Sequence, residues 1–151
     1  ESMEEIVGAV LVRIRQRDPS RRIKSSVPKG LPLIRADPVL LAQLIGNLLD
    51  NALKYSQDTI DLTVKLEQHA MQVAVKDRGA EIPDDKYASI FEPYSRSDLS
   101  GQRGAGLGLA LCRAIAAAHG GSLTLRRRSG GGNSFTFSMP LEASQPTGEL
   151  P

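Results

Sequence analysis

The chain has 151 residues, with 19 Lys plus Arg against 17 Asp plus Glu, a formal net charge of +2. That balance, with 4% aromatics and no tryptophan, argues against a nucleic-acid platform built from basic stripes and stacked bases. One cysteine and two distant histidines, His69 and His119, rule out an internal disulfide and show no Cys/His metal spacing, while the 14 glycines, about 9% against a usual ~7%, form a surplus that needs a location.

In chain order, Ser2 to Gln16 reads as a helix: Ser2 and Glu5 form a capping box, and Ile6, Val7, Val10, Leu11 and Ile14 recur at helical spacing. The Arg13/Arg15/Arg17/Arg21/Arg22 cluster reads as a solvated face. Asp18-Pro19 ends the helix, and Arg22 to Val27 and Leu33 to Arg35 read as short strands. Asp37-Pro38 then opens the longest helix, Asp at the N-cap and Pro at its first position, running to about Lys54. Asp58 to Glu67 and Met71 to Lys76 alternate and form a strand pair turning at Gln68-His69-Ala70. Asp84 to Phe91 holds a short helix, Ser95 to Gly108 is a glycine-rich loop, and Leu107 to Ala118 is a helix stopped by His119-Gly120-Gly121. Ser122 to Arg128 and Ser134 to Met139 are strands joined at Gly130-Gly131-Gly132-Asn133. Of the arginines 126–128, one is expected to lie inward along its aliphatic stem. Residues after Leu141 read as a frayed tail. The order predicts an α+β fold, a two-layer sandwich with helices on one face of a mixed, mostly antiparallel sheet. No run approaches a membrane span, and Glu1 is not a natural start, which points to a piece of a longer protein.

Three segments invite chemistry. On the long helix, Asn47, Asn51 and Lys54 share one arc beside the apolar face of Leu41, Ile45, Leu48, Leu49 and Ala52. Asparagine is a poor helix former, so this is either a polar flank or a set of neutral oxygens suited to a hard cation such as Mg²⁺, with Lys54 placed for a phosphate. Gly104-Ala105-Gly106-Leu107-Gly108-Leu109 leads into a helix, as a flexible loop or as backbone able to approach a polyphosphate. Asp77-Arg78-Gly79 closes a strand, as an ordinary turn or as a carboxylate able to accept from an exocyclic amino group.

Together and in this order, the segments resemble the ATP-binding boxes of the GHKL superfamily, specifically those of sensor histidine kinases. They are N-L-L-D-N-A-L-K-Y (47–55), D-R-G-A-E-I-P (77–83), F-E-P-Y (91–94) and G-A-G-L-G-L (104–109), with G-N-S-F-T-F-S-M-P (132–140) matching the family ending. E-E-I-V-G-A-V, L-P-L-I-R-A-D and L-C-R-A-I-A-A-A-H-G-G look closest to the potassium-responsive Kdp-type kinases. The resemblance implies a Bergerat-type sandwich over residues 1–141 that binds ATP and Mg²⁺. Asn47 and Asn51 would hold the metal, Lys54 and Tyr55 would contact the phosphates or the nucleotide's flank, and Asp77 would receive the adenine amino group beside Gly79 and Ile82. Phe91 would anchor a lid, Arg96 would reach the γ-phosphate, and Gly104, Gly106 and Gly108 would let the lid close, with Leu107 and Leu109 pinning it. Asn47, Asn51, Lys54 and Arg96 would be the catalytic set. The implied partners are a phospho-acceptor dimerisation domain of the same protein and a response regulator. The implied setting is the cytoplasmic side of an inner-membrane-anchored parent, without direct membrane or nucleic-acid contact by this domain.

Asn47 stands where ATPases of the superfamily carry a Glu base. An amide cannot accept that proton, which favours phosphoryl transfer to a protein over hydrolysis. The family's first glycine box has a second glycine where this chain has Glu81; this departure motivates a competing reading as an interaction module with weakened nucleotide binding, beside the GHKL ATPase alternative. Neither His69, read as a solvated turn residue, nor His119, read as a helix C-terminal residue, lies in a phospho-acceptor motif. No self-phosphorylation is therefore expected of this segment alone.

Overall fold

The computed structural model describes residues 1–92 and 105–141, excluding the side chains of residues 105–107. The first helix, α1 (Met3–Arg17), starts where the capping signal predicts: Ser2 Oγ accepts from the Glu5 N–H. Its apolar stripe, Met3, Ile6, Val7, Val10, Leu11 and Ile14, is buried against α2 (Pro38–Tyr55). At the start of α2, Asp37 Oδ1 accepts from the N–H groups of Val39 (2.9 Å) and Leu40 (3.2 Å), satisfying two of the donors a helix start leaves unpaired. The third helix, α3 (Ala105–Ala118), packs on α2 from another side. Leu41, Leu44, Ile45, Leu48 and Leu49 of α2 have no measurable exposure, so this helix is the centre of the helical layer.

The sheet has five strands in the order β1-β2-β3-β5-β4: β1 (Ile23–Ser26), β2 (Ile60–Glu67), β3 (Ala70–Asp77), β4 (Ser122–Arg127) and β5 (Asn133–Pro140). Only β1 and β2 are parallel, so the sheet is mixed and mostly antiparallel, as expected. Alternation sorts the faces. Ile60, Leu62, Val64, Met71, Val73, Val75, Leu123, Leu125, Phe135, Phe137 and Met139 join the helices in one core. The opposite face presents short polar residues such as Thr63, Gln72, Ser134 and Thr136.

The β2–β3 turn is the two-residue loop Gln68-His69, both with positive φ (51° and 64°). His69 is thus a hairpin residue. His119 is fixed more tightly than its sequence reading: Nδ1 lies 2.9 Å from the Ile115 carbonyl, and Nε2 accepts from the Asp37 N–H at 3.1 Å, tying the end of α3 to the start of α2.

Several expectations need correction. Leu33 to Arg35 is not a strand; Ile34 exchanges two backbone hydrogen bonds with Glu1 and has no ladder beyond it among the described residues. Asp84 to Phe91 is two 3₁₀ turns, Asp84–Lys86 and Ser89–Phe91, because Pro83 and the short span favour tight turns over a nucleated helix. The last helix begins at Ala105, so Gly106 and Gly108 are helical instead of lying in a loop. The arginines near α1 are not merely solvated. Arg15 donates to the Ile23 carbonyl, Arg17 to Asp18 and Asp50, and Arg21 to the Leu53 and Ser56 carbonyls at 2.9 and 2.7 Å. The Asp50 and Asp18 carboxylates push the Arg17 pKa up. The tail, 142–151, lies outside the described residues.

Candidate functional site

Asp77 ends β3 and is buried to 2% exposure. Its Oδ1 accepts from the Gly79 N–H at 2.7 Å and from Asn133 Nδ2 at 3.4 Å, while Oδ2 accepts no hydrogen bond among the described residues. A buried carboxylate with one committed oxygen keeps the other available as an acceptor. Gly79 is required by space: a Cβ there would lie 2.4 Å from the Tyr55 carbonyl oxygen and 3.1 Å from Asp77 Oδ1. The turn after β3 therefore presses directly on the C-terminal end of α2. Gly132 is required from the other side, with φ of 110° and a would-be Cβ 2.0 Å from the Asp77 carbonyl oxygen. Arg78 Nη1 donates to the Ser129 and Gly131 carbonyls, clamping the same turn to the β4–β5 hairpin.

Asn133 escaped the sequence reading, which placed it in a turn. It opens β5, is buried, and pairs in register with Asp77. Besides reaching Asp77, its Nδ2 donates to the Ala80 carbonyl at 2.9 Å and its Oδ1 accepts from the Ile82 N–H at 3.1 Å. One amide thus satisfies three groups of the Asp77–Ile82 segment and fixes its path. The available signal was a polar residue immediately before the alternating apolar residues of a strand.

On α2, Asn51 is buried, Asn47 half-buried and Lys54 exposed, so the three span the helix flank from core to solvent as the wheel requires. The Cys112 thiol of α3 donates to the Leu44 carbonyl at 3.5 Å. Burial pushes the Cys112 pKa up to about 12, so the thiol stays protonated at neutral pH. Tyr55 is half-buried where its carbonyl meets Gly79, and the next residue, Ser56, has a buried hydroxyl with no hydrogen-bond partner among the described residues. Asp50, between the asparagines, turns back to pair with Arg17.

Glu81 lies outside this wall. Its backbone is not among the positive-φ positions, so the missing second glycine imposes no strain there. Its carboxylate is 3.8 Å from Arg127 Nη1 on β4. Ile82 is buried. Phe91 is buried edge-on against Phe135, with ring centroids 6.1 Å apart, and the Arg113 guanidinium lies over its ring at 5.7 Å. Leu109 is buried and Gly108 has open space around it. Arg128, the least exposed of its run, pairs with Asp61 across the outer face. Arg96 and Gly104 lie outside the described residues. For Gly106 and Leu107 only the helical backbone is described.

An amide-bearing helix whose C-terminal end meets a glycine turn behind a buried strand-end Asp, in an α/β sandwich, defines a nucleotide-binding class of domain. Residues 36–143 match the family of histidine kinase-, DNA gyrase B- and HSP90-like ATPases, and the chain belongs to that family. Among its relatives, the sensor protein KdpD of Escherichia coli (strain K12) is 36% identical over 146 residues, covering 95% of this chain and 16% of that protein. The adaptive-response sensory kinase SasA of Synechocystis sp. is 41% identical over 123 residues, covering 79% of this chain and 32% of that protein. The chain thus spans a third or less of these relatives. Among solved structures, full-length ShkA in complex with AMPPNP superposes with a TM-score of 0.79 at 30% identity, over 93% of this chain and 30% of that one. The mycobacterial sensor histidine kinase MprB gives 0.78 at 25% identity, over 92% and 94%. The resemblance to histidine-kinase ATP-binding domains holds in both sequence and fold, and in sequence it includes Kdp-type sensor kinases.

Proposed function

We propose that residues 1–141 form one ATP-binding catalytic unit of a Kdp-type sensor histidine kinase. It passes the γ-phosphoryl group to a histidine on a dimerisation domain of the same parent, from which a response regulator receives it. The parent is anchored in the inner membrane with this unit on the cytoplasmic side, and the unit itself contacts neither membrane nor nucleic acid. No helix among the described residues is long and apolar enough to cross a membrane.

The observation that carries the reading is the contact of Gly79 with the Tyr55 carbonyl. It brings the carboxylate of Asp77 against the end of the helix bearing Asn47, Asn51, Lys54 and Tyr55. The residues fit the groups they would hold. Asp77 Oδ2 takes the adenine amino group, Gly79 keeps the approach open, and buried Ile82 supports the turn. Asn47 and Asn51 offer amide oxygens to Mg²⁺, which neutralises phosphate charge when bound. Lys54 and Arg96 pair with phosphate oxygens, and the segment Gly104, Gly106, Leu107, Gly108 and Leu109 covers them. The side chain of Asn47 cannot act as a general base, which supports transfer to a protein acceptor over steady hydrolysis.

Calorimetric titration with Mg-ATP tests this directly. Binding by the wild type, abolished by Asn51→Ala, is expected; a folded chain silent at millimolar nucleotide would favour the interaction-module reading. Steady phosphate release lost on Asn51→Ala would favour the ATPase reading. The outward position of Glu81 supports the catalytic reading over the interaction module.

A further inference from the structure

We propose that Arg127 is a positioning residue for nucleotide binding: it holds the Glu81 carboxylate off the Asp77–Ile82 turn and neutralises its charge. The inference rests on the ATP-binding reading above. Glu81 puts a negative charge four residues from Asp77, on the turn that would receive the base of an anionic nucleotide. Unpaired, that charge would act on the phosphates over roughly the 8–10 Å that salt leaves unscreened.

Two features show the counter-charge to be built in. The first is how the guanidinium is held. Arg127 Nη2 donates to Asp84 Oδ1 at 2.9 Å, and Nη1 faces Glu81 Oε1 at 3.8 Å. Asp84 thus holds the guanidinium independently of Glu81. The second is register. Arg127 pairs with Asn133 across β4 and β5, and Asn133 pairs with Asp77 across β5 and β3. Asn133 holds Ala80 and Ile82, the residues on either side of Glu81. One row across the sheet therefore carries the charge partner of Glu81, the brace of its turn and the adenine-facing carboxylate.

The experiment is calorimetric Mg-ATP titration of the wild type, Arg127→Ala, Glu81→Gly and the double variant, with thermal melts of each. Arg127→Ala should weaken binding about two- to fivefold, the upper part of the range for an exposed ion pair. The loss should vanish in the Glu81→Gly background and shrink as NaCl rises to about 0.5 M. Arg127→Gln, which keeps a polar side chain of similar length, should reproduce it. Unchanged affinity in Arg127→Ala, or an equal loss with and without Glu81, would overturn the proposal. If neither the folded wild type nor Glu81→Gly binds Mg-ATP, the ATP-binding reading fails first and this proposal goes with it.

Discussion

Asp77 and Asn133 show how few atoms shape the turn proposed to receive the nucleotide. Asp77→Asn keeps an oxygen for the Gly79 N–H but loses the charge that would strengthen a bond to the adenine amino group. ATP affinity should fall at least tenfold, about 1.4 kcal/mol, with the melting temperature of the nucleotide-free chain nearly unchanged; equal calorimetric affinities would contradict the role given to Asp77. Ser56 is the opposite case, a buried hydroxyl with no partner among the described residues. Ser56→Ala removes an unsatisfied group and should stabilise the chain by up to about 1 kcal/mol in chemical denaturation. Cys112 gives a pH dependence. Its pKa is raised from 9.0 to about 12 by burial, so above pH 9 the unfolded chain gives up a thiol proton that the folded chain keeps. Stability should therefore fall with rising pH between about 9 and 12, by at most about 1.4 kcal/mol per pH unit. In Cys112→Ala that component of the alkaline loss should be absent from urea-denaturation curves.

At the scale of elements, the β2–β3 hairpin carries a correctable cost. Gln68 and His69 both occupy the left-handed region, where a side chain costs roughly 1 kcal/mol or more per residue and Asn-Gly is the preferred pair. Gln68→Asn with His69→Gly should raise stability by about 1 kcal/mol in denaturation midpoints, because the backbone is kept and the strain relieved. The ends of α2 are secured by residues distant in sequence. Asp37 caps the start and itself donates to His119, while Arg21 binds the Leu53 and Ser56 carbonyls at the end. That end faces Gly79, so the capping arginine also steadies one wall of the site.

For the molecule as a whole, the site is a seam between two layers: α2 supplies the amides and Lys54, and the ends of β3 and β5 supply Asp77 and Asn133. A ligand spanning the seam should couple to global stability. Mg-ATP at 100 times its dissociation constant should add about 2.7 kcal/mol, read as a rise in melting temperature that Asn51→Ala abolishes. A melting temperature indifferent to nucleotide would contradict a site shared by the two layers.

What was legible in the sequence is what periodicity and local chemistry encode. The stripes of α1 and α2, the caps at Ser2 and Asp37, the strand alternation and the motif residues Asn47, Asn51, Lys54, Asp77 and Gly79 are each written within a few neighbouring residues. Elements that depend on distant partners were not legible. Leu33 to Arg35 looks like a strand because it opens on Leu-Ile, yet the backbone bonds of Ile34 go to Glu1 and form no ladder among the described residues. Asn133 looks like a turn residue until β3 is placed beside it. Glu81 was ambiguous for the same reason: nothing near it in the chain says which way a carboxylate turns, and Arg127 becomes its neighbour only when the sheet brings the end of β4 to that turn. The sequence by itself determined the family, the layers and the chemical groups available. The tertiary structure decided which of those groups meet, because hydrogen bonds and ion pairs form between residues that are distant in sequence and adjacent only in the folded sheet.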